Sequence, residues 1–307
     1  MNGASNWSNN LKNLVYKFFD AIGESRLGRH FLVKSSELFQ NSLGAGNHDD
    51  DGARTGENRL IGATCSVLQY VTALDVGANN GSWTLELRVR CPESVVFAVE
   101  PGSQALGTIR SRVEGDTNVH VLPYALGSSD STAQLWGTDS NLQASLLPQV
   151  LSRTTRTESV DELPAESIQV RTIESLVAEA KKVSNLISER PINVVKVDIE
   201  GLEFEVLKNL SKWDGFTSIQ VIQFELHMHA IAQGHLIGDF RKLFGSDFTC
   251  FRLAPRALIS LDELGESLAN YYGFSNWVAV RSHLAADFAT AYKNQSGQRQ
   301  RPYAWRR

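Results

Sequence analysis

The sequence predicts an α/β fold, a mostly parallel sheet with helices on both faces, from three observations. Beyond residue 58, short apolar runs alternate with helical patterns, as a chain of βα units does. The runs are continuous and rich in β-branched residues, which suits strands covered on both sides. A glycine-bracketed turn at 77–81 joins one run directly to a helical stretch. Six strands are readable at 71–76, 95–99, 119–122, 192–198, 219–225 and 277–281, with a seventh at 248–252. The segments 82–91, 103–113, 202–210 and 239–245 supply the helices between them.

Ahead of this domain, Leu11, Leu14, Val15, Phe18, Phe19 and Ile22 recur at spacings of three and four, one face of a helix. The base-rate expectation is that this face packs on the main domain; a membrane-surface or partner-binding helix, or a homodimer contact, is the alternative. A second short helix is expected over 31–39. The polar, glycine-rich stretch 44–58 then reads as a flexible connection, so that 1–58 forms an N-terminal helical extension and 59–292 the main domain. The interval from 122 to 192 breaks the βα rhythm: a strand pair at 133–136 and 168–171, a helix over 173–182, and a Ser/Thr-rich segment 137–167 long enough to act as a lid. The tail 293–307 holds five basic residues and no acid, which predicts a disordered, solvated end or a weak contact with an anionic surface.

Composition narrows the function classes. The 307 residues are 42% apolar and 21% charged, with a net charge of −4. These values fit a globular chain and offer no basic surplus for binding nucleic acid. No run of 18 apolar residues occurs and the first ten residues are polar, so neither a transmembrane span nor a secretion signal is read. Cys65, Cys91 and Cys250 are odd in number and far apart, which argues against a disulfide framework or zinc site and makes a reducing cytoplasm the default.

Three motifs carry chemistry. In TALDVGANNGSWT, residues 72–84, a strand delivers Asp75 to a turn between Gly77 and Gly81. Glycines there let backbone approach a ligand, and the following helix start favours polar or anionic groups. Asn79 stands where a dinucleotide fingerprint needs its second glycine, which counts against a nicotinamide oxidoreductase. A plain glycine turn remains the structural alternative. Glu100 ends the next strand, 19 residues after Gly81, where a carboxylate can accept hydrogen bonds from both ribose hydroxyls of a nucleoside cofactor. The alternative is a surface glutamate before a proline turn. Third, NVVKVDIEGLEFEVL, residues 193–207, brings Asp198, Glu200 and Glu203 to the carboxyl edge of a strand, where open α/β sheets bind ligands. Glu203 also reads as a first-turn helix residue facing the dipole.

The sequence resembles the FkbM family of S-adenosylmethionine-dependent methyltransferases. The match runs through Asp75-Val76-Gly77-Ala78-Asn79-Asn80-Gly81, Glu100-Pro101, Ala125-Leu126, the octet Lys196-Val197-Asp198-Ile199-Glu200-Gly201-Leu202-Glu203, and Glu225 in IQFELH. The resemblance implies a Rossmann-like class I methyltransferase fold of seven strands, the last antiparallel. It also implies S-adenosylmethionine as cofactor and a hydroxyl acceptor on a sugar, glycan or related natural product. It places Asp75, Gly77, Asn79 and Gly81 around the methionine part of the cofactor, Glu100 on its ribose, Tyr124 and Ala125 by the adenine, and Asp198 and Glu200 at the edge shared by cofactor and acceptor.

A hydroxyl acceptor must lose a proton as it attacks, and a general base is worth about 10²- to 10⁴-fold. Candidates are Asp198, Glu200, Glu225, His227 and His229. If the strand continues past 225, residues 225, 227 and 229 share a face. His227 is the first expectation for the base, because a neutral imidazole has a suitable pKa without tuning, with Asp198 next and Glu225 beside it. The same set, with Asp198, could instead hold a divalent metal, although the resemblance requires none. Trp83 and Trp136 could stack on a sugar, core packing being the commoner fate. A non-catalytic cofactor-binding or scaffold protein of the same fold is the alternative from outside enzymology.

Overall fold

The computed structural model describes residues 3–46, 52–137, 144–147, 164–271 and 273–295. Two helices come first, α1 (Gly3–Gly23) and α2 (Arg26–Ser42). They are followed by α3 (Gly52–Thr55), α4 (Glu57–Val67), β1 (Thr72–Val76), α5 (Ser82–Arg90), β2 (Val95–Val99), α6 (Ser103–Arg112) and β3 (Val119–Leu122). The middle of the chain forms β4 (Ala125–Leu126), β5 (Ser131–Trp136), β6 (Ala165–Arg171), α7 (Ile173–Val183) and α8 (Leu186–Glu189). The rest comprises β7 (Val194–Val197), α9 (Glu203–Leu210), β8 (Val221–Leu226), α10 (Met228–Ala232), α11 (Ile237–Phe244), β9 (Phe248–Leu253), β10 (Leu258–Ser260), α12 (Leu261–Ala269), β11 (Ser275–Arg281) and α13 (Ala285–Asn294).

The main sheet has the order β10-β9-β11-β8-β7-β1-β2-β3. Strands β3, β2, β1, β7 and β8 run parallel, and β11 inserts antiparallel between β8 and β9. This is the strand order of a class I methyltransferase. The seven expected strands are present, and an eighth, β10, adds antiparallel to β9 at the edge. It is a three-residue strand after a turn at 254–257, too short to show a periodicity. The expected strand pair in the middle of the chain is β5 with β6, which joins β4 in a separate three-stranded sheet.

Period-two alternation divides the core between the two faces of the sheet. Leu74, Phe97, Val195, Ile222 and Phe224 point to one side, under α7, α9 and α11. Ala73, Val96, Val194 and Val221 point to the other, under Leu60 and Ile61 of α4, Leu87 of α5, and Phe288 and Tyr292 of α13. Local signals set the helix boundaries. Thr172 caps α7 through its side chain, and Asp130 accepts from Thr172 N and Ser175 Oγ at the same helix start.

The N-terminal part departs from expectation in two ways. The apolar face of α1 does not pack on the main domain: Leu14, Val15, Phe18 and Phe19 are all exposed. Its neighbour α2 has no buried residue and meets α1 around the turn, where Gly28 abuts Ile22 O. Within 44–58, the described residues are anchored rather than loose. Ala45 is buried and bridges to Ser275, Gly46 N donates to Phe274 O, and α4 begins at Glu57, inside the stretch expected to be flexible. Most of 137–167, the lid expectation, and all but the start of the basic tail 293–307 lie outside the described residues.

Candidate functional site

The site is assembled at the carboxyl edge of β1, β2, β7 and β8. Pairing aligns Asp75 of β1 with Lys196 of β7, and Lys196 with Gln223 of β8. These three side chains therefore form a polar row on the face covered by α4 and α5. Asp75 is wholly buried and its Oδ2 accepts from Thr84 Oγ1 at 2.6 Å. Lys196 Nζ lies 2.9 Å from Asp198 Oδ2 and 3.9 Å from Asp75 Oδ1. Gln223 donates to Glu57 Oε1 at 2.5 Å and accepts from Trp83 Nε1 at 2.9 Å. Trp83 thus belongs to this row and to the adjacent core.

Backbone geometry shapes the loop after β1. Gly77 and Gly81 have φ of +79° and +78°, and Asn79 adopts +47°, values that favour glycine or asparagine. A Cβ at Gly77 would lie 1.8 Å from Asp198 O, and one at Gly81 2.6 Å from Ile109 Cγ1. The first contact lets the ends of β1 and β7 close together; the second seats the start of α5 on α6. Across the loop, Glu100 accepts from Asn79 N and Gly102 N, both at 2.8 Å. Each oxygen retains a lone pair for a further donor. Burial raises the Glu100 pKa, and the two backbone bonds partly offset it. Tyr124 lies half-buried just after β3 beneath the Arg171 guanidinium, 4.9 Å from its ring centre, and Ala125 is buried in β4 against Val170.

Past β7 the chain turns sharply, with Glu200 at φ +56° and Gly201 at +121°. Glu203 holds this turn. Fully buried, it accepts from Ile199 N and Gly201 N at 3.0–3.1 Å. Its role here is larger than that of a residue complementing the helix dipole. Asp198, Glu200 and Glu225 converge, each offering a carboxylate oxygen within 4.8 Å of the others. Burial, reinforced by Asp198 and Glu203, pushes the Glu200 carboxyl up to about 8. Burial also lifts Glu225 well above the ordinary range, with Asp198 and Glu200 adding to the effect. Burial works against the charge on Lys196, but Asp198, Asp75 and Glu57 more than offset it and raise its pKa. The result is a cluster of carboxyl groups around one lysine. It could hold an organic cation or, at the three converging oxygens, a divalent metal.

The expectations for the histidines need correction. Strand β8 ends at Leu226, so residues 225, 227 and 229 do not share a strand face. His227 is instead the N-cap of α10, its Nδ1 accepting from His229 N at 3.2 Å. It is fully buried, stacked 4.0 Å from the His229 ring and edge-on to Phe274. No surface of His227 is open to an acceptor, and the expectation that it is the base is withdrawn on that ground. Glu57 and Gln223 were missed. The register that aligns Gln223 with Lys196 is not in the sequence, although a glutamine inside the apolar run VIQFEL is a visible oddity.

Comparison with known proteins bears on this geometry. The methyltransferase FkbM domain profile matches residues 75–250, from the buried Asp75 into β9. The chain belongs to the FkbM methyltransferase domain family. Its sequence is also similar to "Methyltransferase 1" of Beauveria bassiana (strain ARSEF 2860), with 25% identity over 162 residues, 48% of this chain and 62% of that protein. Among solved structures, an O-methyltransferase from Bacillus cereus in complex with SAH is 11% identical, covering 81% of this chain and 90% of that one, with a TM-score of 0.39. The plantazolicin methyltransferase BpumL, in complex with a triazolic desmethyl analogue and SAH, is 10% identical, covering 89% and 98%, with a TM-score of 0.40. The fold of this FkbM-family chain is defined by its own strand order.

Proposed function

We propose that this chain is an S-adenosylmethionine-dependent O-methyltransferase acting on a hydroxyl of a sugar, glycan or related natural product. The observation that carries the reading is the gathering of carboxyl groups beside the glycine loop. Glu57, Asp75, Asp198, Glu200 and Glu225 all act electrostatically with Lys196, an excess of carboxyl groups suited to a cationic ligand. S-adenosylmethionine supplies a methyl group on a positively charged sulfur and carries an ammonium group as well. The residues fit such a group. The bare backbone of Gly77–Gly81 allows close approach, and the free lone pairs on Glu100 suit a pair of ribose hydroxyls.

The chain's own residues then have distinct tasks. Asp75 and Lys196 hold the ends of β1 and β7 in register, and Asp198 is oriented by the lysine. Alignment of acceptor and donor is the main demand of an in-line displacement, and positioning can supply about 7 to 11 kcal/mol. Glu200, with its pKa pushed up to about 8, suits accepting the hydroxyl proton as pH rises above neutral, and Glu225 stands beside it. Among the described residues no helix is long and apolar enough to cross a membrane.

Calorimetric titration with S-adenosylhomocysteine tests the reading. Wild-type protein is expected to bind saturably and not to bind NAD, and Glu100→Ala to bind at least about ten-fold more weakly, the loss of hydrogen bonds to a charged acceptor. A folded wild-type protein that binds no S-adenosylhomocysteine would remove the proposal and favour a scaffold.

A further inference from the structure

Helix α1 presents an exposed apolar sector. At 100° per residue, Leu14, Val15, Phe18 and Phe19 fill one sector of the helix, and they are 44–67% exposed. Phe18 and Phe19 pack edge to face at 5.5 Å and form one aromatic patch. Lys12 and Lys17 border the sector on its two sides, and Asp20 lies diametrically opposite. Near the turn, α2 meets α1 where Gly28 abuts Ile22 O and Leu32 approaches Gly23. An apolar sector left open in this way calls for a partner.

Charge identifies the partner. Residues 12–43 contain five Lys/Arg and three Asp/Glu, a net charge of +2, while the whole chain carries −4, so the remainder carries −6. A basic, amphipathic arm on an acidic body suits a surface that is apolar beneath an anionic layer. Lysines flanking an aromatic and aliphatic sector, with the acid turned away, match a phospholipid interface. No described helix can span a bilayer, so the arm would lie in the surface. We propose that α1 docks the protein onto a membrane surface containing anionic phospholipid. The end of α2 is tied by Ala45 and Gly46 to Ser275 and Phe274, and Ser275 pairs with Leu226 at the carboxyl edge of β8.

The test is co-sedimentation of the full chain with phosphatidylcholine vesicles, with and without phosphatidylserine. Light scattering on the protein alone is run beside it. The proposal expects binding at least about ten-fold tighter with the serine lipid and weakened by salt, since each lysine near an anionic surface is worth about five-fold. Lys12→Glu with Lys17→Glu should lose at least about ten-fold of that binding. Phe18→Asp with Phe19→Asp should abolish it. Both pairs are exposed, and unchanged circular dichroism and S-adenosylhomocysteine binding would show that the domain is intact. Absence of vesicle binding, equal binding to both lipids, or binding that survives either double substitution would overturn the proposal. So would a wild-type dimer that the phenylalanine pair converts to monomer without any vesicle binding, which would assign the sector to a second copy of the chain.

Discussion

Glu200 concentrates several demands in one side chain. Its backbone is left-handed at φ +56°, its carbonyl accepts from Ser145 Oγ, and its carboxyl faces Asp198 and Glu225. With a pKa pushed up to about 8, it is mostly protonated at pH 7 and gains its role as proton acceptor as pH rises. The methyl-transfer rate at saturating cofactor is therefore expected to climb through about pH 8 and level off above it. Glu200→Gln should lower the rate by about 10²- to 10⁴-fold and flatten the rise. A rate unchanged by that substitution, or a profile flat from pH 6 to 9, would pass the task to Glu225 or Asp198. The acids themselves were legible in the sequence, because carboxylates at the ends of apolar strands stand out. Their mutual distances were not, since these depend on the register of β7 against β8 and on the turn that Glu203 ties.

The junction of β8 with α10 shows how an element boundary changes a residue's meaning. Read as a continuing strand, the chain offered an imidazole beside Glu225; read as a capped helix, it buries that imidazole. His227→Ala should therefore cost about 1–2 kcal/mol of stability through the lost cap, measured by urea unfolding. Affinity for S-adenosylhomocysteine should stay within about two-fold by calorimetry. The strands β1, β2, β3, β7 and β8 were legible from their apolar runs, and α5, α6, α7 and α9 from the patterns between them. The N-terminal boundary was not. Glu57 sits in a polar, glycine-rich context that reads as linker, yet its carboxyl reaches Gln223, 166 residues away. Helix α4 runs antiparallel into β1, so its first turn arrives at the carboxyl edge, a long-range consequence invisible in local composition.

At the scale of the whole molecule, the buried acids link stability to pH. Burial pushes the Glu203 carboxyl up to about 7 and Glu200 to about 8, above the ordinary 4.5. The folded state therefore holds more protons than the unfolded chain between about pH 4.5 and 8. Stability from these groups is fully present below pH 4.5 and is lost as pH rises through their folded pKa values. The melting temperature should fall between pH 5.5 and 8.5, and Glu203→Gln, a neutral isostere, should reduce the slope. A melting temperature rising over that interval would contradict the assignment. The position of β7 has a consequence for synthesis on the ribosome. Its neighbour β1 precedes it by more than 100 residues, so the middle of the sheet cannot close until most of the chain has emerged. Until then β1 pairs on one side only, with β2, and presents an apolar open edge to whatever is nearby. Such distant pairing slows folding. Cells making this protein would need to shield that edge co-translationally, and fragments ending before residue 194 should aggregate rather than fold.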